Sequence, residues 1–537
     1  MAVPWNPAEA RTLWDLLVRR AAADPDGIYL TLFGDTLTTG RLHAMSLRYA
    51  GALAALGLGR GDPVALVLPT CQEFFFAFFG VLAVGAVPVP LYPTLSPELT
   101  ARVLRSAEPR AVITVDWFRD NVEAARAEAP TVRHYLTPDR LESGRPPDRL
   151  PAAHEDEICF LQYTSGSTAA PRGVVLSHAN VLATVRLMID AITMTVADTV
   201  VSWLPLYHDM GLIGCGFVPL YTGTPLILLP PDLRSPRAWL EAITEHHGVF
   251  TVSPDFGYRN CVRNVHDTGG LDLSSLRMAL TGAEPVRLST IRSFEERFAV
   301  KNVFCPAYGL AEATLAVAIW PPGEPIRLDP SERFVSVGRP CPGVRVVIAG
   351  PDGGGRAAAG VVGEILVQSP GVMQGYYRDP EATARVLRDG WLHTGDLGFL
   401  DAEGYLFITG RMTDVIILGG QNVLPADLEE IVDRLPGIRY SAAIGLESVR
   451  TGTQRLHIVA EVRHDGGSSE ELSHLAGRIA AELHRQRGIR PARVLLVQAH
   501  TIPKTSSGKI QHAALAAQVA AGALADRVLH ATGSTAS

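Results

Sequence analysis

A chain of 537 residues, 47% hydrophobic and 19% charged, is too long for one compact core and has the make-up of an ordinary soluble globular protein, so two or more domains are expected. Its formal net charge of −7 speaks against a nucleic-acid binder, which would present a basic face. The six cysteines (Cys71, Cys159, Cys215, Cys261, Cys305 and Cys341) include no Cys-x-x-Cys pair, a pattern of free thiols in a reducing cytoplasm rather than of disulfides or zinc.

Residues 1–20 are polar and mixed in charge, with no apolar signal core, and a cytoplasmic location is expected. From Ile28 to Gly343, apolar strand-like runs such as 63–68, 111–115 and 225–229 alternate with helix-like stretches. That alternation predicts parallel sheets covered by helices. Segment 74–91 is apolar but short for a bilayer and carries Gly80, Gly85, Pro88 and Pro90. It reads as a buried helix followed by a turn and a strand, with no membrane span. After Gly343 short strands and glycine turns predict a smaller, more antiparallel subdomain. No helix-forming run follows Gly353-Gly354-Gly355, so a hairpin loop is expected there rather than a dinucleotide loop.

A second boundary falls at Gly410-Arg411-Met412-Thr413-Asp414, giving two domains, 1–410 and 411–537. The fold class is thus α/β: a large N-terminal domain of helix-covered sheets with a small β subdomain, then a small α+β domain on a hinge. In the latter, helices are predicted over 427–434 and 470–486 and strands over 455–462 and 493–497. The alanine-rich tail 512–529 reads as a terminal helix, with the last residues disordered.

The chemistry-bearing motifs begin with Tyr163-Thr164-Ser165-Gly166-Ser167-Thr168, entered from the strand-like run Ile158-Cys159-Phe160-Leu161-Gln162. Glycine lets backbone N–H groups converge on an anion, and the hydroxyls add donors to phosphate or ligands to magnesium. It is no Walker loop, and alone such a run is more often a turn. Further on, Tyr308-Gly309-Leu310-Ala311-Glu312 sets a ring that could stack on a base one turn from a carboxylate that could hold magnesium. Trp391-Leu392-His393-Thr394-Gly395-Asp396 ends in an aspartate suited to ribose hydroxyls. Ser506-Ser507-Gly508-Lys509 presents a lysine that could neutralise phosphate charge. Each motif alone has a bland reading as packing, turn or solvated loop.

Together and in this order they resemble the adenylate-forming enzymes: acyl-CoA synthetases, fatty acyl-AMP ligases, peptide-synthetase adenylation domains and luciferases. The resemblance runs from about Leu13 to Ala516. Residues 203–212, 282–286 and 307–314 look most like fatty acyl-AMP ligases. It implies that a carboxylic acid attacks the α-phosphate of ATP to give acyl-AMP, and that a phosphopantetheine thiol then takes the acyl group. It implies Lys509, His208 and Glu312 as catalytic residues, with Lys509 serving only the first half-reaction and leaving when the C-terminal domain rotates. Thr164, Ser165, Gly166, Ser167 and Thr168 would grip the phosphates, and Glu312 and Thr164 would hold Mg2+. Gly282, Ala283, Glu284, Tyr308 and Gly309 would enclose the adenine, Asp396 and Arg411 would hold the ribose, and Gly419 and Gly420 would line the pantetheine tunnel. The implied partners are a small carboxylic acid and either CoA or an acyl carrier protein.

Three features depart from the family pattern. Ala169-Ala170-Pro171-Arg172-Gly173 has alanine for glycine and arginine for lysine, which could mark a subfamily or a weakened first half-reaction. Thr413 stands at the hinge where Lys or Asp is usual. Segment 320–334 lacks the long insertion of fatty acyl-AMP ligases, and Leu418-Gly419-Gly420-Gln421-Asn422 looks like acyl-CoA synthetases. The reading is an ATP-dependent carboxylic acid ligase ending in a thioester, with CoA slightly ahead of a carrier protein. The rivals are a carrier-loading acyl-AMP ligase, a partial enzyme using preformed acyl-AMP and, last, a non-catalytic binding protein. The acid pocket is expected to be walled by 207–214, 252–258 and 281–282, with Asp255, Phe256 and Tyr258 making it bulky and partly polar.

Overall fold

In the computed structural model, residues 5–126, 128–164, 171–232, 234–350, 355–418, 421–448, 453–463, 467–504 and 510–533 are described. Two sheets organise the first 340 residues. The larger has nine strands, and its six inner strands, from Phe304–Tyr308 across to Ile28–Leu32, run parallel. The second is a four-stranded parallel sheet built on Pro63–Val67, all five of whose residues are buried. Continuous apolar strands of this kind need both faces covered.

Helix Gln72–Ala83 supplies part of that cover. Every residue from Phe74 to Ala83 is buried, and the Phe78 ring lies 5.8 Å from Phe160 and 5.4 Å from Phe217. Twelve residues rise only about 18 Å, well short of a bilayer core of about 30 Å. Among the described residues no helix is long and apolar enough to cross a membrane.

Strands Ile158–Thr164 and Arg172–Ser177 form an antiparallel hairpin in which Thr164 pairs with Arg172. Gly375–Tyr376 adds a third strand beside Val174 and Val175. The later strands Arg345–Ile348, Gly363–Gln368, Trp391–Leu400 and Leu406–Arg411 pair antiparallel, as expected. Gly353 and Gly354 lie outside the described residues; on either side of them the Gly350 N–H donates to the Gly355 carbonyl at 3.0 Å.

From Ile416 onward a separate apolar cluster forms around Leu428, Ile438, Ile458, Ile479 and Leu496. It is enclosed by helices Pro425–Asp433 and Ser469–Arg487 and a four-stranded sheet. The tail differs from expectation. Its helix covers only His512–Ala520, and Val528–Thr532 returns as an antiparallel strand on Arg493–Val497. Gly522 at φ +70° provides the left-handed turn that stops the helix. Beyond it the sheet's open edge outweighs the helical preference of an alanine-rich segment.

Candidate active site

The parallel strands Met278–Thr281 and Phe304–Tyr308 end side by side, with Thr281 opposite Pro306. The segment 282–284 and Tyr308 therefore meet at one sheet edge. Glycine is forced here by contact: a Cβ on Gly309 would sit 1.5 Å from the Leu315 carbonyl oxygen, and one on Gly282 would sit 2.8 Å from that of Ala307. Ala283 adopts φ +65°, a left-handed conformation costly for a residue with a Cβ.

Asp396 and Arg411 face each other across paired strands. Asp396 is 5% exposed, and both of its oxygens are engaged. Tyr308 Oη donates to Oδ2 at 2.7 Å and Arg411 Nε donates to Oδ1 at 2.8 Å. The Asp396 charge holds the Arg411 guanidinium above its ordinary value, while burial, then Asp396, push the Tyr308 phenol well up. The three residues form one rigid polar edge, joined from sequence positions far apart.

Glu312, His208 and Asp209 border a cavity of about 370 Å³ that also reaches Tyr308 and Arg411. His208 Nδ1 lies 2.7 Å from Asp209 Oδ1 and 3.3 Å from the Met210 backbone N, so the neighbouring carboxylate and backbone fix the orientation of the ring. Burial works against the His208 cation, but Asp209 outweighs it and the imidazole is shifted up. Burial likewise opposes the Asp209 charge, and His208 with the Met210 N–H brings that carboxyl down. The Glu312 Oε1 accepts from Tyr376 Oη at 2.8 Å.

The same cavity has apolar walls, with Met188, Gly214, Phe250, Val252, Leu315 and Ile319 among its lining residues. Residues His208–Met210, Val252 and Gly282 line it as expected, but Asp255 and Tyr258 do not, and that expectation is corrected. Helix Asp255–Asn264 turns positions 255, 258 and 261 into the core. The Asp255 carboxylate accepts from the Arg287 N–H at 3.2 Å and Thr290 Oγ1 at 3.1 Å. Burial lifts it to about 6, against the opposing charge of Arg287. Tyr258 donates to the Leu280 carbonyl at 2.9 Å and packs among Trp239, Phe294 and Phe304. Phe256 borders instead a second cavity, beside Glu284, which accepts its N–H.

That second cavity, about 860 Å³, lies between the larger part of the chain and residues after 411. Arg287 reaches Asp433 at 3.1 Å, and Arg333 pairs with Asp427. Arg259 and Lys504 approach the Tyr440 ring from both parts, at 5.0 and 3.1 Å from its centroid. Burial pushes the Lys504 ammonium down to about 8, against Glu461 and Glu284.

Of the residues expected to act, Thr164 ends its strand, while Ser165, Gly166, Ser167, Thr168, Gly419, Gly420 and Lys509 lie outside the described residues. Lys504 pairs with Ile510 in an antiparallel bridge, and Ile510 lines both cavities. The sequence reading missed Tyr376, Asp433 and Tyr440, whose motifs carry no chemistry of their own.

A family model described as AMP-binding enzyme matches residues 17–377. The chain is 34% identical over 548 residues to the long-chain-fatty-acid–AMP ligase FadD26 of Mycobacterium marinum, covering 91% of this chain and 92% of that protein. It is 35% identical over 549 residues to the 4-hydroxyphenylalkanoate adenylyltransferase of the same organism, covering 92% and 86%. A solved structure from a study of fatty acyl-adenylate ligases of E. coli and L. pneumophila superposes with a TM-score of 0.88 at 32% identity, covering 98% of this chain and all of that one.

Proposed function

The chain belongs to the family of AMP-binding enzymes, and from that premise we propose that it is an ATP-dependent carboxylic acid ligase that makes an acyl-adenylate and passes the acyl group to a phosphopantetheine thiol. The observation that carries this reading is one cavity lined by both charged and apolar side chains. Glu312, His208, Tyr308 and Arg411 line it together with Gly214, Phe250 and Ile319. An acid with an apolar body fits there with its carboxylate beside a nucleotide.

In the first half-reaction a carboxylate oxygen forms a bond to the α-phosphorus and pyrophosphate leaves. Such a step asks the protein mainly for positioning and charge neutralisation. Asp396 and Arg411 hold the ribose hydroxyls, the 282–284 turn and Tyr308 enclose the adenine, and the 164–168 loop cradles the phosphates. Lys509 bridges the acid and phosphate oxygens. His208, oriented by Asp209, stands in the cavity beside the incoming carboxylate. Glu312 suits a magnesium ion, which typically takes one or two carboxylates and completes its shell with substrate phosphates and water. Among the described residues no cluster of three or more His, Cys, Asp or Glu could hold a metal alone, so Glu312, with Thr164, would hold a magnesium ion delivered with ATP. That ion supplies charge neutralisation on the phosphates. In the second half-reaction the thiol attacks the acyl carbonyl and AMP leaves.

We further propose the division 1–410 and 411–537, with the second domain rotating between the half-reactions. The separate apolar cluster beginning at Ile416 and the polar interface of Arg287 with Asp433 support it. CoA and a carrier protein offer the same thiol arm. The test is ATP–pyrophosphate exchange across fatty, aryl and polycyclic acids, then transfer to CoA or to a holo-carrier protein in separate arms. Exchange with at least one acid class is expected. No exchange with any acid, together with thioester from synthetic acyl-AMP, would leave only the partial enzyme.

A further inference from the structure

We propose that Tyr376 is a positioning residue for adenylation: its hydroxyl, braced by the Arg172 guanidinium, fixes the Glu312 carboxylate in the orientation that meets an ATP-borne divalent cation. This rests on the reading of Glu312 as a metal contact. Tyr376 Oη donates to Glu312 Oε1 at 2.8 Å, and among the described residues it is the hydrogen-bond donor to that carboxylate. Oε2 is thereby left as the oxygen for a cation. Tyr376 is 9% exposed, so water has little access to compete for its hydroxyl.

The backbone makes the contact stiff. The Tyr376 N–H donates to Thr383 Oγ1 at 2.8 Å, and the Met373 N–H to the Glu312 carbonyl at 2.9 Å. Strand Gly375–Tyr376 pairs with Val174 and Val175 of the hairpin that bears the 165–170 loop. Glu312 is thus tied through Tyr376 to the element expected to hold the phosphates. On the cavity side the Arg172 guanidinium lies over the Tyr376 ring at 5.4 Å from its centroid, with Nε 3.9 Å from Asp379. A flat guanidinium stacks on a ring where an ammonium only approaches it. This gives a reason for arginine at a position where the resembling enzymes carry lysine.

Tyr376→Phe keeps the ring and removes the hydroxyl. Hydrogen bonds to charged groups are worth roughly a factor of ten to a hundred. The variant should bind Mn2+·ATP, read by Mn2+ electron paramagnetic resonance, about tenfold or more weakly, with a matching fall in exchange kcat and an unchanged KM for the acid. Thioester formation from synthetic acyl-AMP without divalent cation should equal the wild type, an asymmetry that a merely structural lesion would not produce. In a Glu312→Gln background the same substitution should add less than about twofold, because the two act as one unit. Arg172→Lys should give the same pattern at smaller amplitude. Wild-type Mn2+·ATP affinity in Tyr376→Phe, an equal loss in both half-reactions, or full additivity with Glu312→Gln overturns the inference. If the unsubstituted protein binds Mn2+·ATP but exchanges no pyrophosphate, the proposed adenylation fails while the binding ratio still decides the role of Tyr376.

Discussion

Replacing Asp396 with asparagine isolates what its charge does for the nucleotide. The side chain is 7% exposed and accepts from Tyr308 at 2.7 Å and Arg411 at 2.8 Å. Asparagine keeps the shape and one acceptor oxygen, so one charge-assisted bond is lost. Such bonds are worth about 1.5–3 kcal/mol. The Arg411 side chain is 37% exposed, so water recovers part of the loss and the lower end applies, about 1.5 kcal/mol. At about 1.4 kcal/mol per decade this is close to tenfold. If the trio holds the ribose, that tenfold should appear in ATP affinity, measured by isothermal titration and as KM for ATP in exchange, with the acid KM unchanged. Tyr308→Phe, which removes a single hydroxyl and keeps the ring, should cost less. Unchanged ATP affinity in Asp396→Asn, or a loss confined to the acid, would refute the placement of the ribose.

Asp433→Ala removes the partner of Arg287; the Asp433 side chain is 8% exposed and that of Arg287 21%. Breaking a largely buried pair costs about 3–5 kcal/mol when the remaining charge cannot relax. Pyrophosphate exchange should fall tenfold or more, thioester formation from synthetic acyl-AMP should persist, and cleavage by trypsin near Arg411 should quicken. Gly214 has room for a side chain, since a Cβ there meets only Leu315 at 3.6 Å and Met188 at 3.8 Å. Gly214→Leu should shorten the longest acid that supports exchange and leave ATP affinity unchanged. The raised His208 value contributes stability that is full below about pH 6.5, its unfolded value, and is lost as pH rises through the folded one. The melting temperature gap between wild type and His208→Gln should therefore be wider at pH 6 than at pH 8.5.

Much of the scaffold was legible because its signals are local. The valine- and leucine-rich strands, the buried phenylalanine helix and the glycine turns after Gly343 each announce one element. The trio of Tyr308, Asp396 and Arg411 was legible only as three separate motifs, since the hydrogen bonds joining them depend on a sheet edge and a strand pairing far apart in sequence. The face of helix Asp255–Asn264 was misread because residue identity gives its periodicity but not which neighbour covers it. Tyr376 escaped notice because a tyrosine after glycine in a short strand gains its role only from Glu312, 64 positions away. The tail was misjudged for the opposite reason. Its local helical preference is strong, and the strand it forms answers to an open sheet edge.

The most direct test of the central claim is acid-dependent ATP–pyrophosphate exchange by the wild type and by Lys509→Ala, beside thioester formation from synthetic acyl-AMP by both. The account predicts that the substitution abolishes exchange and spares thioester formation. Exchange that persists in Lys509→Ala, or thioester formation lost with it, would contradict the assignment of that lysine to the adenylating half alone.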